Sequence, residues 1–253
     1  MRRTASSALI ERSLIGCILL TGCYAMGDKG RRDLISPLSS VSADQRAPRL
    51  LSQRYNERKL CIETAETVAA KGHAQEAIEL YEKAEGLEPK RDPLDLQLAP
   101  LYAQTGDSRQ AIERYRRAIE SGKATAEAYN NLAWTLIESG QPNEAIEAVQ
   151  EGLAAAPANE RLRATQAVAL YRLGDRVQSF EAFSELYGPA AAHHNLAVLD
   201  VDSGQFESAA EHAQLATSFP DCPTESVELH ETIQSNLPAT PATRSAARTP
   251  TSH

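Results

Sequence analysis

The side chains best placed for chemistry lie late in the chain: His193 and His194, with Asp200 and Asp202 a short way on. Imidazole and carboxylate form the donor set of a transition-metal site. On a helix, however, His193 and Asp200 stand two turns apart, so they cannot close on one ion without outside ligands. No His-Glu-x-x-His accompanies them. The expectation is a surface His/Asp group at a helix end, with no metal. Ser, His and Asp are all present, but nothing resembles a nucleophile elbow. No glycine-rich phosphate loop follows a strand, and no strand is predicted. The four cysteines, Cys17, Cys23, Cys61 and Cys222, show no Cys-x-x-Cys spacing, which argues against a zinc ribbon or a disulfide framework. No catalytic constellation and no cofactor are expected, and the chain reads as a non-enzyme.

The elements that carry these residues repeat. Gly72, Gly106, Gly140 and Gly174 are spaced 34 residues apart, and Gly204 follows after 30. Seven residues before each stands Ala65, Ala99, Ala133, Ala167 or Ala197. Five after comes Ala77, Ala111, Ala145, Ser179 or Ala209. Nine after come Tyr81, Tyr115, Val149, Phe183 and Ala213, and twelve after come Ala84, Ala118, Gly152, Leu186 and Ala216. Small residues at matching places in two helices let their backbones approach. The glycine takes the positive backbone dihedral that ends the first helix, and the large residue fills the gap to the next pair. Pro89 and Pro157 stop two of the second helices.

This pattern resembles the tetratricopeptide repeat (TPR), whose period is 34 residues. The resemblance implies an all-α solenoid, a right-handed superhelix of antiparallel helix pairs. Five repeats are expected near residues 58–91, 92–125, 126–159, 160–189 and 190–223, within a solenoid over 47–236. Ser179, Leu186 and Ala213 depart from the pattern, and "YGPA" (187–190) cuts the fourth repeat short. Residues 46–57 extend the first helix, 224–236 form a capping helix, and the Pro/Thr/Ala-rich tail 237–253 is expected to be disordered.

In a TPR solenoid the first helix of each pair lines the concave groove. Positions ten, six and three before each glycine share one helix face. In the third to fifth repeats they nominate Asn130, Trp134, Ile137, Val168, Tyr171, His194 and Val198 as a partner-binding groove, with Trp134 the only tryptophan. Aromatic anchors among amides suit an extended peptide or a partner helix. The basic residues of a carboxylate clamp are missing, since the neighbouring positions hold Glu66, Leu96 and Ala164.

The formal charge of −8 argues against broad nucleic-acid binding, which needs basic stripes. At the start, Arg2 and Arg3 precede the apolar run Leu14–Leu20. The run is too short to span a bilayer and has the layout of a secretory signal over 1–22. "LTGC" (20–23) resembles the lipobox of bacterial lipoproteins. That resemblance implies cleavage before Cys23, acylation of Cys23, and a membrane attachment followed by a flexible linker over 23–46.

"GDSRQAIERYRRAIE" and "YNNLAWTLIESGQPNEAIEAVQEGL" are similar to the repeats of Tad/Flp and type IV pilus assembly lipoproteins, which pair a lipobox with TPR units. The resemblance implies an adaptor of the bacterial cell envelope, lipid-anchored at the outer membrane and facing the periplasm. Its partner would be another protein or peptide segment, and its role pilus or secretin assembly. Recruitment of peptidoglycan enzymes or help in outer-membrane protein assembly is the alternative.

Overall fold

A computed structural model describes residues 43–236, and these form eleven helices joined by short turns, with no strand among them. The signal segment, Cys23 and the tail 237–253 lie outside the described residues. The helices are α1 (Ala43–Ala70), α2 (Ala74–Leu87), α3 (Asp95–Gln104), α4 (Ser108–Glu120), α5 (Ala126–Glu138), α6 (Pro142–Ala155), α7 (Glu160–Leu173), α8 (Arg176–Tyr187), α9 (Pro189–Asp202), α10 (Phe206–Thr217) and α11 (Thr224–Asn236). Residues 43–46, read from sequence as linker, are the first turn of α1. The described chain divides into two compact units, and the division falls inside α7, between Thr165 and Gln166.

In the N-terminal unit, α1 packs on α2, α3 on α4 and α5 on α6. Each pair turns at a glycine whose φ is positive, for example +84° at Gly106 and +74° at Gly140, a region that only glycine enters without strain. Side-chain caps start the helices that follow. Asp107 accepts from the Gln110 N–H at 3.1 Å and Thr125 from the Ala128 N–H at 3.3 Å, satisfying backbone donors that the helix cannot. The alanines seven before and five after each glycine are fully buried, and Tyr81, Tyr115 and Val149 fill the space between pairs. At Gly152 the packing is closest: a Cβ there would sit 2.8 Å from Tyr129 Cβ and 2.9 Å from Leu162 Cδ1.

The C-terminal unit keeps the plan with different chemistry. Ser179 takes the place of an alanine, fully buried, and its hydroxyl donates to the Ala167 carbonyl at 2.8 Å. An alanine's volume is exceeded by one oxygen, and that oxygen is satisfied. Ala213 takes the place of an aromatic; Leu229 and Ile233 of α11 reach into the cluster it forms with Ala197 and Ala209. The capping helix thus supplies the bulk that the fifth repeat lacks. Gly188, at φ +84°, joins α8 directly to Pro189, the first residue of α9, which is where the sequence shortens the repeat.

Candidate functional site

In the N-terminal unit the first helices of the pairs are α1, α3 and α5. Ile62 and Leu96 on them are half-buried, Glu66 and Pro100 exposed, Ala103 half-buried. Pro100 lies inside α3 and lacks the N–H that its turn would use. Trp134 on α5 is half-buried, so part of its ring meets solvent. Beside this face opens a shallow cleft of about 370 Å³, lined by Tyr55, Arg58, Ile62, Glu63, Glu66 and Arg91 among others. The surface is therefore open, with Ile62 at the α1 edge set among two carboxylates, Glu63 and Glu66, and three cations, Arg58, Lys59 and Arg91, of which Lys59 pairs with Glu63 at 3.7 Å.

Four of the seven groove residues nominated from sequence lie within the packing between helices. Asn130, Ile137, Val168 and Tyr171 are buried. Spacing of three and four identifies a helix face but not its tilt, and one edge of that face turns into the neighbouring helix. Asn130 accepts from the Thr165 hydroxyl at 2.7 Å, a bond inside the packing, while its Nδ2 has no protein partner. Of the remaining three, Trp134, His194 and Val198 are half-buried. Val198 packs against the α10–α11 cluster, and His194 Nδ1 lies 3.0 Å from the Ser226 hydroxyl. Ser226 is fully buried, so this Ser–His pair has no access to a substrate.

The C-terminal unit holds a polar cluster that sequence spacing did not reveal. Asp200, fully buried, accepts from the Tyr171 hydroxyl at 2.6 Å, from the Ser208 hydroxyl at 2.7 Å and from the Arg176 guanidinium. The bond to Asp200 holds Arg176 firmly charged. Burial, and then the hydrogen bond to Asp200, pushes the Tyr171 phenol up. His212 Nε2 stands 4.0 Å from the other carboxylate oxygen. Its Nδ1 lies 3.0 Å from Nδ1 of His193, and that ring stacks at a tilt on Phe180, centroids 4.6 Å apart. Burial lowers the pKa of both imidazoles and each carries the other's repulsion or its neighbours' fields besides. His193 thus meets His212, not Asp200 or Asp202. Among the described residues no three His, Cys, Asp or Glu side chains converge as a metal site.

Charge also ties the N-terminal unit together. Arg114, buried on α4, donates to both Glu85 oxygens at 2.9 and 2.8 Å and to Asp95 at 3.2 Å. Burial opposes its charge, but the two carboxylates outweigh that and raise its pKa. Tyr102 nearby donates to Glu82, and burial together with that carboxylate pushes its phenol up to about 12. These bonds link α2, α3 and α4.

Residues 96–160 and 130–194 each match the tetratricopeptide repeat family model. No curated protein matches the chain. Solved structures similar to it include YrrB (TM-score 0.52, 16% identity, 75% of this chain and 98% of that one). MamA of Desulfovibrio magneticus (0.52, 21%, 70% and 96%) and a tetratricopeptide repeat protein of Parabacteroides merdae (0.53, 18%, 70% and 72%) are also similar. At these identities the likeness is one of fold. The 34-residue period, the glycine turns and the buried alanine pairs agree with it: the described residues have the tetratricopeptide repeat fold, as five helix pairs followed by one further helix, and residues 96–194 match the family model itself.

Proposed function

We propose that this chain is an adaptor that holds a segment of a partner protein against the face built by α1, α3 and α5. Tetratricopeptide arrays are protein–protein interaction scaffolds, and stacked repeats leave extended surfaces that suit that use. The observation that carries the reading here is that Ile62, Leu96, Pro100 and Trp134, at matching places on α1, α3 and α5, are exposed or half-buried, with Glu63 and Glu66 beside Ile62 in the cleft. It fits an extended or helical segment with apolar anchors and a basic flank. YrrB, whose structure shows an unusual peptide-binding site, supports the reading by fold. We further propose, from "LTGC" and the repeat resemblance, a lipid anchor at Cys23 and a place in envelope assembly of the pilus or secretin kind.

Two measurements test this. Partners captured from solubilised envelopes are compared for wild type and Trp134→Ala. Loss of a half-exposed aromatic anchor weakens binding by about 2 kcal/mol, roughly 30-fold, with helicity unchanged by circular dichroism. Equal capture by both proteins would return Trp134 to a packing role. Separately, Cys23→Ala abolishes labelling by a fatty-acid analogue and releases the protein from membranes; undiminished membrane retention refutes the anchor.

A further inference from the structure

α1 has 28 residues, twice the 14 of α2, on which it packs. At 1.5 Å per residue it is longer by roughly 21 Å. Bonds fix where the excess lies. Lys83 near the end of α2 pairs with Glu57 at 3.6 Å, and Arg58 donates to the Asp92 carbonyl at 3.2 Å. The chain before Glu57 therefore extends beyond the end of α2 as an arm. Residues 51–57 are exposed at every position, including Leu51 at 64% and Tyr55 at 44%. Tyr55 meets the Arg91 guanidinium of its own chain, 4.8 Å from its ring centroid; the segment otherwise offers open surface and gains little from packing, and isolated helices of this length are marginal in water.

The arm also differs in charge from everything after it. Residues 43–60 carry Arg46, Arg49, Arg54, Arg58 and Lys59 against Asp44 and Glu57, a net +3. Residues 61–236 carry 29 acidic and 13 basic side chains, a net −16. We propose that the arm docks, head to tail, on the α1/α3/α5 face of a second copy of this chain; this rests on the reading of that face as a partner-binding surface. The arm is continuous with α1 and points along its axis, so it cannot fold back onto its own copy. Arm against arm brings like charges together. The acidic body of another copy is the complement. There Leu96, Pro100 and Trp134 receive Leu51 and Tyr55, and Glu66 faces Arg54, while Glu63 stays with Lys59 of its own helix. An anionic membrane would attract the arm too, but would repel the body behind it. A head-to-tail contact need not close, so assemblies lengthen as concentration rises.

The test is the mass of the full chain by sedimentation velocity and light scattering across a concentration series, at about 50 and 500 mM salt. Wild type is expected above its 27.5 kDa monomer, growing with concentration and shrinking at the higher salt. The exposed-site variant Leu51→Glu/Tyr55→Glu is monomeric, as is Trp134→Ala. An equimolar mixture of the two forms a one-to-one dimer, because each supplies the half that the other lacks. A wild type that stays monomeric, an arm variant that still assembles, a mixture that fails to pair, or an arm that binds phosphatidylglycerol vesicles without self-association each overturns the proposal. If wild type is monomeric yet captures envelope partners in a Trp134-dependent way, the arm proposal fails and the partner-binding face survives.

Discussion

The N-terminal unit is built from repetition and the C-terminal unit from repair. In the first, alanines meet alanines at zero exposure and tyrosines fill the gaps; its ion pairs of Glu85, Asp95 and Arg114 join helices whose packing is already regular. In the second, the small-residue pattern slips at Ser179, Leu186 and Ala213. A buried carboxylate with three donors, a satisfied serine and the side chains of α11 take over. A repeat can lose its pattern where hydrogen bonds or a neighbouring helix restore what the pattern supplied.

Removing the carboxylates separates the two designs most sharply. Asp200→Ala removes a fully buried carboxylate that three groups share, leaving Tyr171 only Ser203 at 3.3 Å and Arg176 only Gln205 and the Tyr171 oxygen as acceptors. Breaking such a site costs about 3 kcal/mol or more, read from chemical denaturation. Asp95→Ala in the N-terminal unit also frees the half-exposed Arg117, 3.2 Å away, but the buried Arg114 keeps both oxygens of Glu85. Its cost is expected at about half. Equal costs would mean that the C-terminal network adds nothing special.

Close packing in the N-terminal unit gives the next largest effect. Gly152→Ala places a methyl 2.8 Å from Tyr129 Cβ, an atom fixed to its backbone, and overpacking of this kind costs about 1–3 kcal/mol. Gly86, also helical, has open space where its Cβ would stand. Gly86→Ala should stabilise by roughly 0.4–1 kcal/mol through the unfolded chain. Opposite signs in thermal unfolding sharpen the view that the position twelve after each turn glycine is a contact; matching signs break it.

The fold was legible because a 34-residue period needs no structure to be seen, and because glycine and alanine have few other reasons to recur in phase. The site was legible only in part. Trp134, Asn130, Ile137, Val168 and Tyr171 share one phase, yet Trp134 is half-buried and the other four are buried. Periodicity assigns a helix face; how far the face turns into its neighbour depends on side chains on another helix. The cluster around Asp200 was hidden for a related reason. Its members lie on α7, α8, α9 and α10, and Tyr171 and Asp200, 29 residues apart, have no local signal that joins them. The arm of α1 was visible as an extension, but its full exposure was not.

Acid exposes the remaining contrast, and its effect is the smallest. Four of the five described histidines, His193, His194, His212 and His230, lie in α9, α10 and α11, whereas the N-terminal unit has only the exposed His73. The two Nδ1 atoms of His193 and His212 can share one proton, but a second sets two like charges 3.0 Å apart. Phe180 and Phe219 flank His193; Asp200, Arg176 and Glu211 surround His212; Glu225 faces His194. Burial is the main cause that lowers all three of these imidazoles, and the attraction of Asp200 or Glu225 does not reverse it. The unfolded chain, with imidazoles near pKa 6.5, therefore binds more protons than the folded one as pH falls below that value. Stability from these groups is complete above about pH 6.5 and declines below it. Between about pH 7.5 and 5.5 the amide protection factors, which correct for intrinsic exchange rates, should fall in α9–α11 and change little in α1–α6. His193→Gln, which removes one imidazole of the pair, flattens that difference. A fall spread evenly over both units would show that the acid response belongs to the whole chain and not to the repaired repeats.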